Sequence, residues 1–233
     1  MGELSLKIKA KLGIASALWQ DTTEAMQILE QLGLALGLAS LAGVNLYLTV
    51  LLSGVMVHFN LLHLGDKYAD LAALGHPWVI AVAGALFLVE FFADKVPWVD
   101  SLWDSVHTFI RPVGGTLLAL QAVGEMPPHV QVVAGLLAGG AALTTHTAKA
   151  GTRLLANHSP EPVSNVALSV GEDVAVVGGS LMVMLVPVVA FFFFVIVLTV
   201  LWLVLPRLWR TLRGSFSLVR GKWRALINRP AHS

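Results

Sequence analysis

The sequence predicts an all-α polytopic membrane protein with six transmembrane helices. Three observations carry that prediction. Of 233 residues, 56% are hydrophobic and 12% are charged, where soluble domains average about 25% charged. Uncharged stretches long enough to cross a bilayer recur along the chain, with a mean hydropathy of +0.77. Seven of the 15 basic residues follow Pro206, and no acid follows Asp173. Such a basic tail next to an apolar stretch reads as a cytoplasmic topology signal and a contact for anionic lipid, not as a nucleic-acid surface. The absence of cysteine excludes thiolate catalysis, Cys-ligated zinc and disulfides.

Residues 1–30 form an N-terminal amphipathic extension, basic at Lys7, Lys9 and Lys11. It either lies on an anionic membrane surface or is solvated. The transmembrane domain covers 31–206, with spans near 32–57, 77–94, 113–124, 130–148, 163–185 and 188–205, and a basic tail follows at 207–233. The first span is uncharged throughout. Its Gly33 and Gly37 suit close helix packing, and a break at Ala42–Asn45 is the alternative. The second opens on Pro77, which fits a first helical turn, with Trp78 at the interface. An amphipathic interfacial helix is expected from Asp100, stopping before Pro112. The short third span ends ahead of Pro127-Pro128, and the fourth contains Gly135 and Gly139 four residues apart.

Residues 174–205 are all uncharged. As one helix they would measure about 48 Å, too long for a single span. A tight turn near Val186-Pro187 divides them into the end of the fifth span and a sixth, and a proline kink is the alternative. Charge favours the turn. With six spans and a cytoplasmic N-terminus, every Lys and Arg except Lys67 lies inside, whereas five spans would put the basic tail outside.

Ala85-Leu86-Phe87-Leu88-Val89-Glu90 matches Ala167-Leu168-Ser169-Val170-Gly171-Glu172 as Ala-Leu-x-aliphatic-x-Glu. Two three-span halves would have opposite orientations, the inverted-repeat plan of many transporters. An ionisable residue at membrane depth costs at least about 2.5–3.5 kcal/mol, so its default reading is functional. Glu90, Asp94, Glu172 and Asp173 are therefore candidate cation or proton ligands, with Asn45 lining the path. Oxygen ligands suit a divalent cation, with Glu90 and Glu172 as the candidate metal pair. No other cofactor is implied. The structural alternative is neutralisation of Glu90 or Glu172 by Arg111, Lys149 or Arg153.

A second group is expected at the cytoplasmic side. Asp100, Asp104, His107 and Arg111 fall on one helical stripe, and His146, Lys149 and Arg153 on another. Asn165 can start the fifth helix. The favoured reading of the first stripe is a solvated face with Asp–His and His–Arg pairs along one helix. Its alternatives are a cation gate, or a metal and acid–base set.

These motifs resemble a bacterial membrane family known as domain-of-unknown-function family 4126. The resemblance rests on Gly37-Leu-Ala-Ser-Leu-Ala-Gly-Val-Asn45-Leu-Tyr47, and on Glu90-Phe-Phe-Ala-Asp94-Lys95-x-Pro97-x-x-Asp100-Ser-x-Trp103-Asp104-x-x-His107-Thr108-x-x-Arg111-Pro112. Lys149-Ala-Gly-Thr-Arg153, Ser159-Pro-Glu-Pro-x-Ser-Asn165 and Glu172-Asp173 complete it. It covers roughly residues 31 to 205 and implies a multi-pass protein of the bacterial inner membrane, without an activity. Glu90-Phe-Phe-Ala-Asp94-Lys95 is also similar in design to the Glu-x-Gly-Asp-Lys motif of inverted-repeat cation exchangers, but lacks its Gly and its spacing.

The expected function is a small secondary transporter or channel for cations, linked to protons, in a bilayer with both termini cytoplasmic. The alternatives are a membrane enzyme acting on a lipid headgroup through Asp100, Asp104 and His107, and a non-catalytic scaffold. Enzymatic activity is the less expected outcome, since no recognised catalytic motif occurs. Homo-oligomerisation is left open.

Overall fold

The computed structural model describes the backbone of residues 2–61, 66–124, 126–156 and 162–227. Side chains are described for 19–61, 70–96, 98–124, 126–156, 166–207 and 210. Seven α-helices appear among these residues: α1 (Gly2–Val44), α2 (Leu46–His58), α3 (Pro77–Ala93), α4 (Pro97–Val123), α5 (Pro128–Ala156), α6 (Pro162–Leu185) and α7 (Pro187–Ile227). A 3₁₀ segment, Asp66–Gly75, joins α2 to α3. Five of the seven α-helices begin on proline, where the missing N–H is one the helix would not have used.

Three stretches among the described residues are long and apolar enough to cross a membrane: Trp19–Val44, Val166–Leu185 and Pro187–Arg207. The outer surface is apolar as well, with Trp78, Phe92, Phe109, Leu136, Val174 and Trp202 exposed. An apolar exterior over long helices is what a hydrocarbon solvent selects. The chain is a helical membrane protein. α4 and α5 are less apolar, and their charged residues Asp100, Asp104, Arg111, Lys149 and Arg153 face inward.

α1 lies at the centre, with Leu34, Leu38, Ala39 and Ala42 fully buried or nearly so, and α4, α5 and α7 packed around it. Small residues set the approach. A Cβ on Gly33 would strike the Pro187 carbonyl, one on Gly37 would strike Val183, and one on Gly179 would strike Leu41. This register makes α6 antiparallel to α1 and confirms the close-packing role of Gly33 and Gly37.

Gly43 packs hardest on α5: a Cβ there would land on the Thr145 hydroxyl and the Ala142 carbonyl. That hydroxyl already donates to Ser40 O at 2.8 Å. Gly43→Ala therefore forces α1 and α5 apart. The expected cost is about 1–3 kcal/mol, by overpacking, read as a lower thermal midpoint by circular dichroism in detergent. Gly140→Ala is the control. A Cβ there meets nothing within 4 Å, so its midpoint should hold or rise; equal losses in the two variants would refute the packing account.

Three expectations change. The first span is broken at Asn45, whose φ of −147° and ψ of 99° are extended. Small residues do give close packing in this stretch, but they coexist with the break. Second, the interfacial helix and the short third span are one helix, α4, which runs through Pro112. Proline removes one hydrogen bond from the ladder, and packing on α1 and α5 outweighs that loss.

Third, no tight turn separates the expected fifth and sixth spans. Val186 alone interrupts the helix, and hydrogen bonds from Val186 N to Met182 O (2.9 Å) and Ala190 N to Val186 O (3.0 Å) flank it. One residue is too few for a hairpin, and α7 packs chiefly on α1 and α5 rather than back along α6. Pro187 therefore bends the chain without reversing it. The alternative reading of the proline is the right one. α1 likewise continues from the N-terminal extension into the first span without interruption.

Candidate functional site

The break at Asn45 builds the site. Asn45 caps α2 by accepting from Leu48 N at 3.0 Å, a contact worth about 1 kcal/mol. Its amide donates to Asp173 Oδ1 at 3.1 Å. Ending α1 in the interior also frees its last carbonyls, which lipid cannot satisfy. Arg111 Nη1 donates to Gly43 O at 3.1 Å, and Lys149 Nζ to Val44 O at 3.1 Å. Both cations thus sit at the negative end of the α1 dipole.

The same two side chains start a buried ion network. Arg111 pairs with Glu90 at 2.5 Å, both side chains 0% exposed, and approaches Asp104 at 3.5 Å. Lys149 lies 3.3 Å from Asp94 and 3.5 Å from both Glu90 and Glu172. Arg153 holds Asp94 at 2.9 Å, Asp100 at 2.8 Å and, closely, Glu172. Its Nη1 also donates to Asp94 O at 2.9 Å. Helix spacing explains the assembly. Lys149 and Arg153 are one turn apart on α5, and Asp100, Asp104 and Arg111 share one face of α4. Antiparallel packing of α4 on α5 then matches acids to bases.

Hydrogen-bond partners assign His146 as neutral. Arg111 Nη1 donates to His146 Nδ1 at 2.8 Å. His146 Nε2 therefore carries the hydrogen and donates toward Asp104 O and Thr108 Oγ1, each at 3.1 Å. His107 Nδ1 donates to Trp103 O at 2.8 Å, and its Nε2 shares a hydrogen bond with the Tyr47 hydroxyl at 3.0 Å. The Trp103 ring stacks on His107 with centroids 4.5 Å apart.

Lys95 leans back over Phe91, its Nζ 3.2 Å from the ring centroid. It donates to Phe91 O at 3.0 Å and to Ser169 Oγ at 3.4 Å.

Glu90 and Glu172, the pair drawn from the repeat, thus converge on one ammonium group. The α5 basic face meets the α4 stripe, Arg153 on Asp100 and His146 on Arg111. The stripe itself is not a solvated face: Asp100, Asp104, His107 and Arg111 are all buried. The expected Asp–His and His–Arg pairs along the helix give way to contacts between helices, because α5 and the end of α1 offer better partners. Thr49 Oγ1 donates to Asn45 O at 2.7 Å. The side chain of Asn165 lies outside the described residues.

As for the metal candidates, Glu90 and Glu172 face Arg111, Lys149 and Arg153. No group of three His, Asp or Glu side chains among the described residues is placed to hold a metal ion. Sequence reasoning passed over Tyr47, Trp103 and Thr108 as partners of the histidines. The one usable signal was rarity: the chain has only two tyrosines, and Tyr47 stands two residues after Asn45.

Two details bear on chemistry. Glu90 Oε2 and Asp100 Oδ2 are buried without a hydrogen-bond partner among the described residues. A cavity of about 260 Å³ opens beside the network, lined by Asp100, Ser101, Asp104, Ser105, Thr108, Ala150, Arg153 and Leu154.

A family model described as Domain of unknown function (DUF4126) matches residues 32–207. The chain belongs to this family. No curated protein and no solved structure matches it. The DUF4126 match spans the whole network, from Asn45 to Asp173, and leaves out residues 2–31 of α1 and the basic tail beyond Arg207.

Proposed function

We propose that this DUF4126 protein is a small proton-linked transporter or channel for cations, with Glu172 as the exchanging carboxylate. One observation carries the reading. Five carboxylates (Glu90, Asp94, Asp100, Asp104 and Glu172) meet three cations (Arg111, Lys149 and Arg153) among the described residues. Uncompensated charge is expensive in a dry interior, so the two surplus acids hold protons or a bound cation. A cluster that must take up one or the other is the basis of an exchanger.

The groups divide the work by accessibility. The Glu90 side chain is 0% exposed and locked on Arg111, whereas that of Glu172 keeps 14% exposure. Protonating Glu172 weakens its hold on Lys149 and Arg153. Lys149 then settles on Glu90 and Asp94, a cation replaces the proton on Glu172, and the returning ammonium expels the cation. Asp173, tied to Asn45, follows the break in α1.

The convergence of Glu90 and Glu172 on Lys149 supports an inverted relation of two halves. The antiparallel course of α1 and α6, continued by α7, brings the two basic termini to one end. That supports an even number of crossings with both termini in the cytoplasm of a bacterial inner membrane. The test is flux: proteoliposomes carrying a pH gradient, a panel of mono- and divalent cations, and a Glu172→Gln variant.

A lipid-headgroup enzyme is favoured only by the cavity at Asp100 and Asp104. Against it, both ring nitrogens of His107 are engaged by Tyr47 and the Trp103 carbonyl, so it is not poised as an acid or base. Wild-type protein without flux for any cation would leave the scaffold reading instead.

A further inference from the structure

A fourth cation stands beside the network without joining it. Lys95 follows the end of α3 and is partly exposed, whereas Arg111, Lys149 and Arg153 are buried. Among the described residues it forms no ion pair. Its ammonium lies over the Phe91 ring and donates to Phe91 O at 3.0 Å and to Ser169 Oγ at 3.4 Å. A lysine at a membrane edge ordinarily carries its charge out to water. Lys95 turns back onto α6 instead.

That contact fixes where its charge acts. Ser169 is buried. Glu172 and Asp173 follow it by three and four residues, so all three share one face of α6. The turn between them rises about 5.4 Å, less than the roughly 8 Å screening length of physiological salt. Asp173 and Asp94 are the carboxylates that attract the Lys95 charge, and Arg153 repels it. Glu172 is also the most accessible acid of the network. Its side chain keeps 14% exposure, against 7% for Asp104 and less for Glu90, Asp94 and Asp100. A cation exchanging on Glu172 therefore arrives beside an ammonium that no carboxylate has paired.

We infer that Lys95 is a specificity-determining residue, whose ammonium, held on Phe91 and Ser169, repels the cation at Glu172 and shifts selection from divalent toward monovalent ions. This role rests on the transport reading and narrows its substrate class. Coulomb repulsion is proportional to the charge of the ion, so a divalent ion meets twice the energy and the square of the factor in affinity. Lys95 also caps a carbonyl at the end of α3 and ties α3 to α6. Neither of those structural tasks depends on the charge of the bound ion.

Equilibrium binding reads this role apart from flux. Full-length protein in detergent, at constant pH and ionic strength, is titrated calorimetrically with Na⁺, K⁺, Mg²⁺ and Ca²⁺. Lys95→Met and Lys95→Gln both remove the charge and differ in polarity, and either serves if the other does not fold. Lys95→Arg keeps the charge. In the neutral variants Kd should fall about threefold for monovalent ions and about tenfold for divalent ones, the squared relation. Where the wild type binds monovalent ions alone, the neutral variants should gain divalent binding. Lys95→Arg should keep the wild-type ratio of the two.

Unchanged Kd values in the neutral variants would overturn the role, as would an equal change for both ion charges or the same change in Lys95→Arg. No cation binding to the wild type would overturn it together with the transport reading. Binding with the squared relation, but no flux in proteoliposomes, would remove transport alone and leave Lys95 as the selector of a cation-binding site.

Discussion

Replacing Arg111 by methionine is expected to lower stability by about 3–5 kcal/mol, the usual cost of breaking a fully buried ion pair from one side. Three partners lose their donor together. Glu90 is left charged with both side chains of the pair at 0% exposure, Gly43 O loses a hydrogen bond at the end of α1, and His146 Nδ1 loses its donor. Lys149 also lies 3.5 Å from Glu90, but it is shared with Asp94 and Glu172 and offsets only part of that charge. Unfolding in mixed micelles with rising SDS, followed by circular dichroism, gives the free energy.

The second variant in that experiment is Glu90→Gln/Arg111→Met. Neutralising the orphaned acid should recover part of the loss, because the dominant penalty is an uncompensated charge and not missing volume. A single-variant loss below about 1 kcal/mol, the range of exposed pairs, would mean that water reaches Glu90 and that the network is not a dry one.

Glu172→Gln should remove proton-driven cation flux, leaving the rate of empty liposomes, while the protein remains folded. Glutamine keeps the shape and can still accept from Arg153, and Arg153 retains Asp94 and Asp100. The stability cost should therefore be about 1 kcal/mol, that of an ordinary hydrogen bond. Glutamine cannot release a proton, so the exchange step is lost. Glu172→Asp keeps the titrating group and should retain reduced flux. Full flux in Glu172→Gln would remove Glu172 from the mechanism. Loss of flux together with loss of fold would make it a structural residue like Glu90.

Much of the fold was legible because the solvent of a membrane protein leaves a strong mark. Apolar runs and the placement of basic residues gave the class, and four of the later helix starts coincide with prolines at or near the expected span edges. The Glu90–Glu172 pairing was legible from one rare residue recurring in a similar setting. The errors cluster where one residue has two local outcomes. Pro187 permits a turn or a bend, and Pro112 permits a stop or a continued helix. Asn45 permits packing or a break. Propensity alone does not separate these, because contacts with other helices decide between them.

The polar stripe shows the same division. Spacing on α4 and α5 gave the two faces correctly, since helical periodicity is local. Whether a charged face meets water or another helix is not local. The sequence by itself determined a helical membrane protein, its basic ends, its acids at depth and their opposing bases. Only the tertiary structure decided that α1 ends inside the bundle, so that its free carbonyls draw Arg111 and Lys149 inward. Only there do Glu90 and Glu172 share one ammonium, because a buried charge is tolerated where its partners from distant helices arrive together.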